Sequence, residues 1–173
     1  MSLAEARYFF TICVRRPENR LVSGACAEAV GTALSRCESD GDWKLIASTV
    51  MPDHLHVLAT LSGRLSVGQV IGKFKVLAKP ALALADIRWQ ENFHEHRLRP
   101  EDVPGNYARY IFLNPYREKL ISRCEDWPFW SKAGDVDFDF IHQLDAGGRP
   151  PEEWLTADME SLGVSLDAIG EMQ

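Results

Sequence analysis

The chain has 173 residues, 46% of them hydrophobic, and a formal net charge of −6, which suits one domain with its own core and an appendage. No apolar run approaches the ~20 residues that a membrane helix needs, and Met1-Ser2-Leu3-Ala4-Glu5-Ala6-Arg7 lacks the basic-then-apolar pattern of a secretion signal, so a cytoplasmic protein with no membrane partner is expected. Cys13, Cys26, Cys37 and Cys124 form no Cys-x-x-Cys pair and read as reduced packing residues, against a disulfide scaffold or a zinc cage.

Residues 7–15 are β-branched and aromatic and predict a first strand. Arg15 to Asn19 form a loop, and Ser23 is placed to cap a helix running to about Ser39, with Ala27, Val30, Leu34 and Cys37 at helical spacing. Asp40-Gly41-Asp42 is a turn; residues 43–51 and 54–61 are two strands joined tightly enough to make a hairpin. Ser66, with Gln69 at the box position, caps a second helix carrying Val67, Val70, Ile71, Phe74 and Leu77, which Pro80 should kink or end. Residues 87–98 suggest a fourth strand with an irregular continuation. A third helix opens near Pro100, carries Tyr107, Tyr110, Ile111 and Phe112, and is interrupted at Asn114-Pro115. Trp127 to Ser131 pack back as irregular structure, and residues 132–173 look like a peripheral acidic extension, so the division expected is 1–131 and 132–173.

The order β-α-β-β-α-β followed by a helix predicts an α+β fold: a ferredoxin-like, split-βαβ antiparallel sheet with two helices on one face. The third helix then carries the remaining chemistry.

That chemistry centres on Val50-Met51-Pro52-Asp53-His54-Leu55-His56-Val57-Leu58. Pro and Asp make the turn. On the strand that follows, His54 and His56 share one face while Leu55 and Val57 point to the other. Two imidazoles side by side form half of a divalent-metal site; the bland alternative is a pair of histidines on a solvated sheet face. His94-Glu95-His96 is a second His-x-His, with a charged centre and no buried-strand flanks, so His96 is expected to pack or touch a partner and His94 to be exposed.

Tyr110 and Asn114 lie four residues apart and share a face if the turn between them is helical. A Tyr can act as a covalent nucleophile, though a phenol of pKa ~10 needs help near neutral pH. Tyr107, one turn earlier, is a rival nucleophile.

Charge is unevenly spread. Residues 64–123 hold 11 Lys/Arg against 6 Asp/Glu, whereas residues 124–173 hold 2 against 12. Lys73, Lys75, Lys79, Arg97, Arg99, Arg109 and Arg117 are candidates for a phosphate path, with Trp89, Phe93 and Tyr107 as candidate base-stacking rings. The acidic end is expected to compete with DNA for that surface.

The strings MPDHLHVL, WQENFHEHRLR, YARYIFLNPYREKLI and EDWPFWS together resemble the one-tyrosine transposases of the HUH endonuclease superfamily, in the REP-associated tyrosine transposase branch. The likeness runs from the first strand to about Ser131. It implies cleavage of single-stranded DNA at hairpins through a 5′-phosphotyrosine, with Mg²⁺ or Mn²⁺. It makes Tyr110 the nucleophile, His54 and His56 metal ligands, and Asn114 a residue completing the metal shell. Both monomers and homodimers occur among such proteins. Asp53 departs from the Asn common before the first His, and Tyr116 and Glu118-Lys119 stand in place of small residues. Two rival functions remain: a structured-DNA-binding relative that does not cut, and a hydrolytic phosphodiesterase using both His-x-His pairs without a covalent intermediate.

Overall fold

The computed structural model describes residues 6–15, 20–165 and 167. Five strands form one antiparallel sheet in the order β4-β1-β3-β2-β5. They are β1 Ala6–Cys13, β2 Trp43–Val50, β3 His54–Leu61, β4 His94–Arg97 and β5 Trp130–Lys132. Helices α1 Gly24–Ser39, α2 Val67–Leu84, α3 Pro104–Arg117 and α4 Glu152–Thr156 complete the described elements, with a 3-10 turn at Asp139–Gln143.

The period-2 alternation of β1 and β3 sorts side chains between two cores. Phe10, Ile12, Leu55, Val57, Ala59 and Leu61 face α1 and α2, where they meet Val30, Leu34, Val70, Ile71 and Phe74. Phe9, Ala47 and Leu58 face the other way and meet α3 through Tyr107, Ile111 and Leu113. The sheet is therefore covered on both faces, with α3 over the histidines.

Pro80 lies inside α2, which runs on to Leu84. The interruption expected at Asn114-Pro115 needs correction: Pro115 lies inside α3 and does not end it. An internal proline removes one backbone bond and costs ~3 kcal/mol or more. In α2 the cost is offset by Val70, Ile71, Phe74, Ala78 and Leu82, buried on both sides of Pro80. In α3 every residue from Tyr107 to Tyr116 except Arg109 is buried, so tertiary packing holds the helix through the proline.

Helix α3 begins at Pro104, not at Pro100. The intervening turn is held by Asp102, whose Oδ2 accepts from Arg99 N at 2.7 Å and whose N–H donates to Arg99 O at 3.0 Å. The expected fourth strand is split: Trp89 makes an isolated antiparallel bridge to Val14, β4 proper is His94–Arg97, and between them Lys75 Nζ donates to the carbonyls of Gln90, Glu91 and Asn92. Trp130-Ser131-Lys132 is not irregular: it pairs with Ala47, Ser48 and Thr49 of β2 and extends the sheet.

The acidic stretch is not peripheral in packing. Phe138, Phe140, Leu162 and Val164 are buried in the α3 core. Gly163, at φ 69°, turns the chain tightly against Asn106 of α3, where an added Cβ would collide. Two α3 arginines fasten the segment: Arg109 Nη2 donates to Leu162 O at 2.8 Å, and Arg117 Nη1 donates to Trp154 O at 3.0 Å and Ala157 O at 2.7 Å.

Candidate active site

His54 and His56 project from β3 beneath α3 and are 3% and 0% exposed. Their Nε2 atoms lie 3.1 Å apart. Behind them, His54 Nδ1 is 2.7 Å from Asp53 Oδ1, and His56 Nδ1 is 3.0 Å from Thr11 Oγ1, the residue opposite it on β1. From above, Asn114 Nδ2 lies 3.0 Å from His56 Nε2. The oxygen and nitrogen of that amide are interchangeable by a flip, so Asn114 can present either atom there. Phe9 stacks on His56 at 5.2 Å between ring centroids.

This arrangement fits a divalent cation. Adjacent ligands of an octahedral ion with bonds of about 2.1 Å stand about 3.0 Å apart, close to the imidazole separation of 3.1 Å. Both outer ring nitrogens are occupied, which leaves the inner ones to converge. Thr49 Oγ1, on the residue opposite His56 on β2, is buried without a hydrogen-bond partner among the described residues. Burial holds the His56 pKa well below the usual imidazole value, assisted by the neighbouring His54, so the ring stays neutral and able to ligate.

Tyr110 packs its ring 5.5 Å from His56 and 5.9 Å from Phe9. It is 7% exposed. Burial raises its pKa, against a hydrogen bond from Asn114 that lowers it. Because α3 continues through Pro115, Tyr110 and Asn114 occupy one face, both at His56.

Tyr107 belongs to a different cluster. Its hydroxyl donates to Asp102 Oδ1 at 3.0 Å and lies 3.2 Å from His96 Nε2, which is itself 3.1 Å from Asp102 Oδ2. Burial, with Asp102 beside it, pushes the Tyr107 pKa up to about 12. His96 is thus a packing residue that ties β4 to the start of α3. His94 Nε2 contacts Asp167 O at 2.7 Å instead of joining the first pair. Tyr116 donates to Glu125 O at 3.0 Å, away from the site.

The seven basic candidates do not form one path. Lys73 pairs with Asp40 at 2.8 Å and Asp42 at 2.5 Å on the α1/α2 side. Lys75 is taken up by its three carbonyls, Arg109 and Arg117 by the C-terminal segment, and Arg99 pairs with Asp167 at 3.2 Å. Lys79 and Arg97 are exposed. Lys75 and Lys79 line a cavity of about 570 Å³ with Arg15, Arg88 and Trp89. Arg97 and Arg99 line one of about 430 Å³ with Arg7. Of the candidate stacking rings, Tyr107 is fully buried, Phe93 lies under Lys75 and Trp89 packs on Phe74. Sequence reasoning missed Thr11 and the positioning contacts of Asp53 and Asp102. Thr11 carried a faint signal, as a polar residue on the Phe9/Cys13 side of β1.

The model of the IS200-like transposases matches residues 3–93. The chain belongs to that transposase family. Within it, the chain is similar to the REP-associated tyrosine transposase of Escherichia coli (strain K12), 27% identical over 148 residues, spanning 85% of this chain and 83% of the relative. It also superposes on a solved structure of a REP-associated tyrosine transposase bound to a REP hairpin, with TM-score 0.65 and 25% identity over 90% of this chain and 87% of the other. A match over 90% of the chain reaches beyond Ser131 and into the acidic segment, further than the motifs alone extended.

Proposed function

We propose that this chain is a metal-dependent single-stranded DNA endonuclease and strand transferase acting at DNA hairpins in the cytoplasm. The observation that carries the reading is the meeting of Tyr110, His56, His54 and Asn114 from two distant parts of the chain. The hairpin substrate is supported by the hairpin bound to the similar solved protein.

His54, His56 and Asn114 are the residues that would hold Mg²⁺ or Mn²⁺, which would supply positive charge beside the scissile phosphate. Tyr110 Oη attacks phosphorus as the P–O3′ bond breaks. The products are a 5′-phosphotyrosine and a DNA 3′-hydroxyl, with the phenolic proton passing to solvent or to the leaving oxygen. Attack by a 3′-hydroxyl on the phosphotyrosine reverses the step and frees Tyr110. Phe9 and the α3 residues around Tyr110 exclude water from the ring and fix its direction. The exposed Arg97 and Lys79, with Arg7 and Arg88 in the two basic cavities, are the groups best placed to meet phosphates. The same chemistry runs in a monomer or in a homodimer.

A second reading, a hairpin-binding protein that does not cut, is favoured by the burial of Tyr110 alone. Incubation with a labelled hairpin bearing a single-stranded flank and Mn²⁺ separates the readings on a denaturing gel. A protein–DNA adduct absent in Tyr110→Phe supports transfer. A shift seen only on a native gel supports binding, and cleavage that survives Tyr110→Phe points to hydrolysis without a covalent link.

A further inference from the structure

The two imidazoles face one another alike, but the groups behind them differ in kind. Thr11 Oγ1 is a hydroxyl, able to donate to His56 Nδ1 or accept from it. Asp53 Oδ1, 2.7 Å from His54 Nδ1, belongs to a carboxylate that only accepts once ionised. The direction of the second bond is therefore fixed. His54 keeps its proton on Nδ1, and its Nε2 lone pair is left facing His56 Nε2 at 3.1 Å.

His56 has a choice. Thr11 Oγ1 can donate to His56 Nδ1 or accept from it, and Asn114 lies 3.0 Å from His56 Nε2, so the groups around this ring do not fix its tautomer as Asp53 fixes that of His54.

Asp53 can hold this direction because its own backbone is pinned. Its carbonyl accepts from Val14 N at 2.9 Å, and the turn before β3 is closed by Met51 N donating to His54 O at 2.8 Å. The carboxylate is 41% exposed while the imidazole it holds is 4% exposed, so the charge stays solvated at the sheet end and the directed bond reaches inward.

We propose that Asp53 is a positioning residue that locks His54 as a permanent Nε2 donor, so that metal affinity at the His54/His56 pair is set by a carboxylate that does not itself touch the metal. This inference rests on the reading of His54 and His56 as metal ligands. Removing such an outer partner typically weakens metal binding 10- to 100-fold.

The test is titration of the full-length protein with Mn²⁺, free ion being counted by electron paramagnetic resonance, without DNA. Wild type, Asp53→Ala, Asp53→Asn and His54→Ala are compared, each with its metal-free thermal midpoint. Asp53→Ala is expected to raise the Mn²⁺ dissociation constant about 10- to 100-fold. Asp53→Asn, which retains one acceptor oxygen but no charge, should fall between it and wild type, with its metal-free midpoint near wild type. A wild-type dissociation constant retained in Asp53→Asn and Asp53→Ala, but lost in His54→Ala, overturns the role of Asp53 and leaves the metal site standing. Equal binding by wild type and His54→Ala overturns the metal site itself. Should Asp53→Ala fail to fold, Asp53→Asn carries the test, and an unchanged constant there is the overturning result.

Discussion

Replacing Phe140 by Ala is expected to cost about 3–5 kcal/mol of folding free energy, the range for truncating a buried aromatic. The ring is 4% exposed and lies 5.6 Å from Phe112 of α3, 5.7 Å from Phe138 and 6.5 Å from Trp154. It cannot be replaced by collapse without moving α3, against which it packs through Phe112. Deleting residues 132–173 removes Phe138 as well, and the two rings together account for about 6–10 kcal/mol. That is comparable to the whole stability of a typical domain, about 5–15 kcal/mol. The truncated chain should therefore lose the seating of α3, and with it the placement of Tyr110 and Asn114, instead of gaining a freed DNA surface. Urea unfolding followed by tryptophan fluorescence measures this, with the exposed Leu84→Ala as control. A loss under about 1 kcal/mol in Phe140→Ala, or a truncated chain with the wild-type midpoint, would refute the assignment of this segment to the core.

Three further outcomes are expected. Tyr110→Phe should abolish the covalent DNA adduct while hairpin affinity on a native gel changes by no more than about tenfold, since a single hydroxyl contributes roughly 0.5–1.5 kcal/mol; an adduct that persists would move the nucleophile elsewhere. Tyr107, held neutral by the fold with a pKa near 12 against an unfolded value of ~10, binds its proton more tightly when folded. Its contribution to stability is thus complete below pH ~10 and is lost as pH rises towards 12. The fall in urea midpoint across that window should be shallower in Tyr107→Phe, and an identical slope would show that the burial argument is mistaken. Arg97→Ala should weaken hairpin binding and lower the salt slope by about 1. Lys73→Ala should leave that slope unchanged, because its ammonium is paired with Asp40 and Asp42; the reverse order would relocate the phosphate path.

Four strands, three helices and the His54/His56 face could be read from the sequence, chiefly where a local period marks them. Alternation on β3 separates the histidines from Leu55 and Val57, and helical spacing marks α1 and α2. The candidate site was legible to the same degree where it depends on spacing: Tyr110 and Asn114 differ by one helical turn, and the structure joins them at His56. What was not legible depends on partners distant in sequence. A three-residue strand such as Trp130–Lys132 has no period to show, and it exists because β2 offers it an edge. Phe138, Phe140, Leu162 and Val164 are scattered among acids, so composition hides a core that α3 defines. Counting Lys and Arg revealed a basic middle region, but not that Lys73, Lys75, Arg109 and Arg117 satisfy acids and carbonyls of the chain itself.

Arg109 and Arg117 hold the C-terminal segment by main-chain carbonyls, those of Leu162, Trp154 and Ala157. A grip on the peptide group is indifferent to most side chains that decorate it. Substitutions along the outward side of this segment can therefore accumulate, and its charge can drift far from neutral, while the strap stays buckled across the helix that bears Tyr110.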